Sequence, residues 1–169
     1  MYTFNNFGGK GVLKVNVIAV GKVKEKYFLD GIEEYSKRLS KYCQFKIIEV
    51  AEKNYKQVDD ALIKDIVKSE GDKILELNEF KGKIFALAIE GEKFSSKKFA
   101  STIKNLQDQG ENITFVIGGS YGLDQRVKNR ANSLISFSDM TFPHTLFRLM
   151  LVEQIYRAFS INQGTAYHK

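Results

Sequence analysis

The sequence predicts one α/β domain, a mostly parallel sheet with helices on both of its faces. Three observations carry that expectation. Strand-like and helix-like patterns alternate five times along the chain, the order that βαβ units impose. The run from Ile84 to Ile89 (IFALAI) is almost continuously apolar, as a strand covered on both faces must be. At 169 residues and 43% hydrophobic content, the chain is large enough for one buried core and too short for two ordinary domains.

The elements follow from local pattern. Val15 to Val20 is a short β-rich run, after which Phe28, Ile32, Tyr35, Leu39 and Tyr42 recur in steps of four and three, the stripe of an amphipathic helix. Phe45 to Val50 predicts a second strand, and Ile63, Ile66, Val67, Ile74 and Leu77 a second helix with Gly71 as a weak point inside it. After the third strand, Ser95 or Ser96 can cap a helix that carries Phe99, Ile103 and Leu106 and stops at Gly110. Ile113 to Ile117 and Leu134 to Phe137 are the fourth and fifth strands, with a short helix around Asp124 to Ala131 between them. The last helix, Thr145 to Phe159, is apolar nearly all round. Phe147, Leu151, Ile155 and Ala158 make one stripe, and Leu146, Leu149, Val152, Tyr156 and Phe159 widen it. A helix of that kind is buried on two sides, so it is expected to pack on its own sheet and on a second copy of the chain, giving a homodimer.

Residues 1–12 show neither strand alternation nor a helical stripe nor a signal-peptide pattern, and read as a leader ahead of a domain over 13–169. Gly8-Gly9-Lys10 is also what a purine-rich ribosome-binding sequence would encode, with Leu13 as a TTG start. The balance of 26 Lys and Arg against 20 Asp and Glu, a net +6, favours a polyanionic partner, with nucleic acid first. The lysines are scattered along the helices, so charge alone does not decide it. One cysteine excludes an internal disulfide, and two histidines offer no zinc cluster, which points to a reducing, cytoplasmic setting and no metal. No apolar run approaches the ~20 residues of a membrane span, so no membrane is expected.

Ligand chemistry is expected in the last third. Phe115 to Leu123 (FVIGGSYGL) and Leu134 to His144 (LISFSDMTFPH) each place a loop of small or polar residues after a strand, and two such loops make a crevice at the strand ends of an α/β sheet. The position after the first strand reads Val20-Gly21-Lys22-Val23, so the dinucleotide fingerprint is missing, and no P-loop spacing occurs. Cys43 falls in a helix stripe and reads as a buried structural thiol, and no Ser-His-Asp or Cys-His arrangement stands out.

The segments VIAVGKVKEKY (Val17 to Tyr27), EYSKRL (Glu34 to Leu39), VIGGSYGL (Val116 to Leu123), FSDMTFPH (Phe137 to His144), EQIYRAF (Glu153 to Phe159) and AYHK (Ala166 to Lys169) closely resemble the RlmH family. These are SPOUT-class methyltransferases acting on N3 of a pseudouridine in bacterial large-subunit ribosomal RNA. The resemblance runs from Leu13 to Lys169 and implies a deep C-terminal trefoil knot, an exception to the rule against knotted connections. It implies S-adenosylmethionine as cofactor, with its site on Leu87, Gly118 and the loop Phe137, Ser138, Asp139, Met140, Thr141 and Phe142. Leu87, Phe137 and Met140 can supply apolar walls, Gly118 and Gly119 close backbone approach, and Pro143 an extended loop exit. The implied reaction is direct displacement, in which the ring N3 attacks the sulfonium methyl.

For the N3 proton the sequence offers His168 as acceptor and His144 as second choice. Tyr167 can stack on or bond the base, and Lys169 can pair with phosphate. Arg148 is either a further substrate-binding residue or the neutraliser of a buried carboxylate such as Glu153. The implied partner is large-subunit ribosomal RNA in the assembled ribosome. Two other readings stay open: a noncatalytic ribosome-associated or RNA-binding factor, and a SPOUT enzyme acting on transfer RNA.

Overall fold

The computed structural model describes residues 12–53, 55 and 57–167. The proposed leader apart from Val12, and both His168 and Lys169, lie outside the described residues. The elements alternate strictly: β1 (Lys14–Val20), α1 (Lys26–Leu39), β2 (Gln44–Val50), α2 (Asp60–Leu75), β3 (Lys83–Lys93), α3 (Ser96–Asp108), β4 (Ile113–Ile117), α4 (Gln125–Arg130), β5 (Ser133–Ser136) and α5 (His144–Asn162). The strands form a five-stranded sheet in the order β2-β1-β4-β3-β5. Every pairing is parallel.

Alternate side chains of the strands feed two cores, which is why helices cover both faces. Val15, Val17, Ala19, Ile113, Phe115 and Ile117 point to one face and pack with Ile32 and Leu39 of α1, Phe99 and Ile103 of α3, and Leu151 and Ile155 of α5. Ile18, Val20, Ile84, Ala86 and Val116 point to the other and meet Ile74 of α2 and Val127 of α4. Each such aliphatic side chain, fully buried, contributes roughly 1.5–3 kcal/mol. Local chemistry fixes two helix starts: the Asp59 carboxylate accepts from the Leu62 amide at 2.8 Å, and the Ser95 hydroxyl from the Lys98 amide at 3.1 Å.

Helix α2 passes through Gly71 without breaking. The reason is tertiary: a Cβ there would lie 2.5 Å from the Cβ of Asp124, so glycine lets the start of α4 approach. Strand β3 runs four residues beyond its expected end at Ile89. It pairs with β5 through Phe85, Ala86 and Leu87, bulges, and pairs again through Glu92 and Lys93. Gly91 makes this possible, since a Cβ would come within 2.6 Å of the Ile135 backbone.

Much of the all-round apolarity of α5 is used inside the chain. The helix lies on the sheet between α1 and α3, and buries Leu151, Val152, Ile155, Ala158 and Phe159. Tyr42 of the α1–β2 turn stacks on Phe159 with ring centres 5.5 Å apart. Cys43 lies in that same turn, fully buried, rather than in a helical stripe.

Candidate active site

The carboxyl ends of β3, β4 and β5 open on a cleft of about 270 Å³. Its first wall comes from the turn after β4. The Gly122 amide donates to the Gly119 carbonyl at 3.1 Å, and Gly122 has φ +86°, so the chain reverses over Gly119-Ser120-Tyr121-Gly122. Gly118 faces the cleft, but its lack of a side chain serves the turn itself, because a Cβ would stand 2.7 Å from the Gly122 carbonyl. Gly119 is likewise required by the protein's own packing, against Glu70 and Val20. Close approach of a ligand was the sequence-based reason for both glycines; the structure gives an internal one.

The second wall is the loop after β5. The Ser136 hydroxyl donates to the Ser138 carbonyl at 3.0 Å, and the Ser138 hydroxyl accepts from the Met140 amide at 2.9 Å, so the loop carries its own hydrogen bonds. Phe137 and Phe142 are anchored on Phe147 of α5, at ring-centre distances of 4.9 and 6.5 Å. Pro143 precedes the helix with extended geometry (φ −53°, ψ 136°) and its carbonyl accepts from the Phe147 amide at 2.9 Å. The structure brings Leu87, Gly118, Phe137, Ser138, Met140, Thr141 and Phe142 together around this cleft, and His144 with them. Asp139 is not on its lining and pairs outward with Lys93. Met140 and Ile89 stand exposed at the rim, 73% and 59% accessible.

The remaining sequence-based candidates go elsewhere. Arg148 is 2% exposed and away from the cleft. Its Nη1 donates to Glu49 Oε1 at 2.7 Å and its Nη2 to the carbonyls of Gly21 at 3.0 Å and Val20 at 3.3 Å. Burial pulls the guanidinium below its ordinary range and Glu49 pushes it back. A substrate-binding role for Arg148 is thereby corrected to a structural one, and the carboxylate it neutralises is Glu49, not Glu153. Glu153 instead accepts from Arg157 and from the Tyr167 hydroxyl, the latter at 2.9 Å. Tyr167 also meets the Tyr35 hydroxyl at 3.0 Å, and burial with these two partners pushes its phenol well above the usual range. Tyr167 is therefore held between α1 and α5, and in the single chain it does not reach the cleft.

Sequence reasoning missed a group of acids behind the turn. Glu70 is 3% exposed beneath Gly119, and takes the Lys53 amide as hydrogen-bond donor. Its Oε2 has no partner among the described residues. Burial, reinforced by Glu52, raises the Glu70 carboxyl above its ordinary range. Glu52 accepts from the Ser120 hydroxyl at 2.9 Å and ties the end of β2 to the cleft turn. A buried glutamate on a helix carries no local signal, since its neighbours Glu52, Lys53 and Gly119 come from the loops after β2 and β4. No group of three or more His, Cys, Asp or Glu stands together as a metal site among the described residues, and no helix there is long and apolar enough to cross a membrane.

Comparison with known proteins gives the family of the chain. The family model described as "Predicted SPOUT methyltransferase" matches residues 13–168. Proteins named ribosomal RNA large subunit methyltransferase H are 48% identical in Streptococcus uberis, 47% in Lactobacillus delbrueckii subsp. bulgaricus and 50% in Lacticaseibacillus casei. Each alignment spans 159 residues, 93% of this chain and 100% of the relative. Among solved structures, methylase-family proteins share the fold at low identity. One from Haemophilus influenzae Rd KW20 has a TM-score of 0.51 at 12% identity, covering 93% of this chain and 70% of that one. One from Neisseria gonorrhoeae has 0.52 at 8%, covering 90% and 86%. With a family match over nearly its whole length and relatives near half identity, the chain belongs to the SPOUT methyltransferases, and among them to the RlmH family.

Proposed function

We propose that this protein transfers a methyl group from S-adenosylmethionine to N3 of a pseudouridine in large-subunit ribosomal RNA, in the cytoplasm and on the assembled ribosome. The observation that carries the reading is the end-to-end match to relatives named as methyltransferases of large-subunit ribosomal RNA. The cleft agrees with it, since two of the segments that the family resemblance singled out, VIGGSYGL and FSDMTFPH, line it together with Leu87.

The lining fits the methyl donor. It is mostly apolar and rich in backbone, with Leu87, Phe137 and Met140 able to enclose a flat ring and the amides after Phe137 able to meet its edge. When bound, S-adenosylmethionine supplies a methyl carbon already activated by a positive sulfur. The protein's part is to hold that carbon in line with the nucleophile and keep water away, for which a wall of Leu87, Ile117, Phe137 and Phe142 is suited. The N3 proton needs an acceptor. His144 stands on the cleft lining, and His168 follows Tyr167 in the terminal segment; we assign the proton to His168 with His144 as the second choice. Tyr167 and Lys169 are proposed to reach substrate in the assembled dimer.

The homodimer is part of this reading. Leu146, Leu149 and Met150 of α5 line a second hollow of about 540 Å³, and it shares Ile135, Ser136 and Phe137 with the cleft. A second copy of α5 laid there would cover those side chains next to the cofactor. Light scattering at micromolar concentration should give twice the chain mass; a monomer would remove the dimer. Labelled methyl groups should appear as 3-methylpseudouridine after nucleoside digestion. Label in transfer RNA would favour the tRNA-enzyme reading, and failure to bind S-adenosylmethionine in calorimetry the noncatalytic one.

A further inference from the structure

The strand order divides the carboxyl edge of the sheet into two halves. The cleft occupies β4, β3 and β5, and the neighbouring half is made by the loops that follow β2, β1 and β4. Among the described residues, three of the five exposed large hydrophobic side chains are tyrosines, and each lies in or just beyond a different one of those loops. They are Tyr27 at the start of α1 (68% accessible), Tyr55 after β2 (48%) and Tyr121 in the turn after β4 (42%). Exposed lysines interleave with them: Lys22 and Lys24 in the β1 loop and Lys53 in the β2 loop. None of these three has a carboxylate partner among the described residues, whereas the ten cations that do pair there all sit on helices or strands.

The nearby acids are turned to internal work. Glu52 accepts from Ser120, Glu70 is buried, and Glu25 accepts the Lys24 amide at 3.3 Å. The edge is also continuous with the cleft. Ser120 belongs to the cleft lining and bonds the β2 loop, while His144 belongs to the lining and packs against Gly21, where a Cβ would meet its Nε2 at 3.2 Å.

We propose that this edge is the surface that holds unpaired RNA beside the cleft, with Lys22, Lys24 and Lys53 on phosphates and Tyr27, Tyr55 and Tyr121 against unstacked bases. The inference rests on the RNA-methyltransferase reading above and adds the surface that delivers the target nucleotide. Its chemistry selects single-stranded RNA over duplex. Separated aromatic faces with free cations between them match splayed bases on a flexible backbone, whereas the bases of an A-form helix are stacked and offer no such faces. A protein partner would favour a contiguous apolar patch over tyrosines spaced by lysines.

The test uses the full-length chain and fluorescence anisotropy with a labelled stem-loop of large-subunit ribosomal RNA, with a plain RNA duplex as competitor. Replacing Lys22, Lys24 and Lys53 together by Gln should lower the slope of log affinity against log salt by about 2, at roughly 0.7 per phosphate contact on a single strand. Each of Tyr27→Ala, Tyr55→Ala and Tyr121→Ala should weaken binding by about tenfold, with Phe in place of each Tyr restoring most of it. Lys37→Gln, Lys41→Gln and Lys81→Gln, the same charge change at the opposite edge of the sheet, should leave the slope unchanged. An equal drop for both lysine sets would reduce the effect to net charge and overturn the proposal, as would duplex competing as well as the stem-loop. Wild-type protein that binds neither this stem-loop nor whole ribosomes while still binding S-adenosylmethionine would instead overturn the RNA-methyltransferase reading, and the surface with it.

Discussion

Replacing Arg148 by Ala separates a structural cation from a substrate-binding one. The guanidinium closes the carboxyl end of β1: it satisfies the Val20 and Gly21 carbonyls and the Glu49 carboxylate at once, from a helix whose first residue, His144, lines the cleft. Truncation leaves two buried carbonyls and a carboxylate without their donor. Breaking a buried ion pair costs about 3–5 kcal/mol. The Glu49 side chain is 34% exposed and can rehydrate, which places the loss near the lower end, about 3 kcal/mol. In urea that is a fall of about 1.5 M in the unfolding midpoint for a slope of about 2 kcal/mol per M. Arg148→Lys keeps the charge but can reach only one acceptor, and should lose about half as much. Glu49→Gln keeps a hydrogen bond and removes the pair, costing about 1 kcal/mol. These two milder variants keep the test informative if Arg148→Ala does not fold. An Arg148→Ala protein that unfolds at the wild-type midpoint yet fails to bind RNA would refute the structural assignment and restore the substrate-binding one.

Gly91→Ala should be far more damaging than its chemistry suggests, because the added methyl meets the Ile135 backbone and must push β5 off β3; about 2 kcal/mol is expected, or about 4–8 °C in Tm. The same displacement moves Ile135, Ser136 and Phe137, so weaker S-adenosylmethionine binding in calorimetry should accompany it, and an unchanged affinity would detach β5 from the site. Glu70→Gln should stabilise the protein at neutral pH and make no difference in acid. The folded state raises this carboxyl, so its favourable contribution is complete below the ordinary carboxylate range and is lost as pH rises through the raised value; equal denaturation midpoints of the two proteins across the pH range would contradict the burial assigned to Glu70. Cys43, fully buried and with its thiol pushed strongly up by burial, should resist a thiol reagent at pH 8 until the protein unfolds, and rapid labelling of native protein would contradict its placement.

The alternation of strands and helices was legible because each pattern is local. Phe28, Ile32, Tyr35 and Leu39 announce α1 by spacing alone, and the all-apolar Ile113 to Ile117 announces a central strand. The order β2-β1-β4-β3-β5 was not, since neighbours in the sheet are set by how crossovers pack and leave no mark on a single strand. The bulged second half of β3 was hidden for a similar reason: Gly91 reads as a loop residue until Ile135 is seen against it. At the cleft, the loop after β5 was legible from the strand-end pattern and family resemblance narrowed it to Phe137 to Phe142, while in the structure Asp139 pairs with Lys93 and is not on the lining. Arg148 was correctly suspected of neutralising a carboxylate, but its partner is 99 residues away in sequence, beyond any helical spacing rule. Glu153 looked available to it at five residues' remove and is taken instead by Arg157, one turn along the same helix, and by Tyr167. Gly118 and Gly119 were recognised as special, and the reason, a turn folded onto its own backbone and onto Glu70, needed coordinates.

The central claim is methyl transfer to a pseudouridine of large-subunit ribosomal RNA. Its most direct measurement is transfer of a radiolabelled methyl group from S-adenosylmethionine to ribosomes from cells lacking the native enzyme, prepared with and without prior pseudouridylation. The account predicts label in large-subunit RNA of pseudouridylated ribosomes only. Label appearing equally without pseudouridine, or none in ribosomal RNA despite cofactor binding, would contradict it.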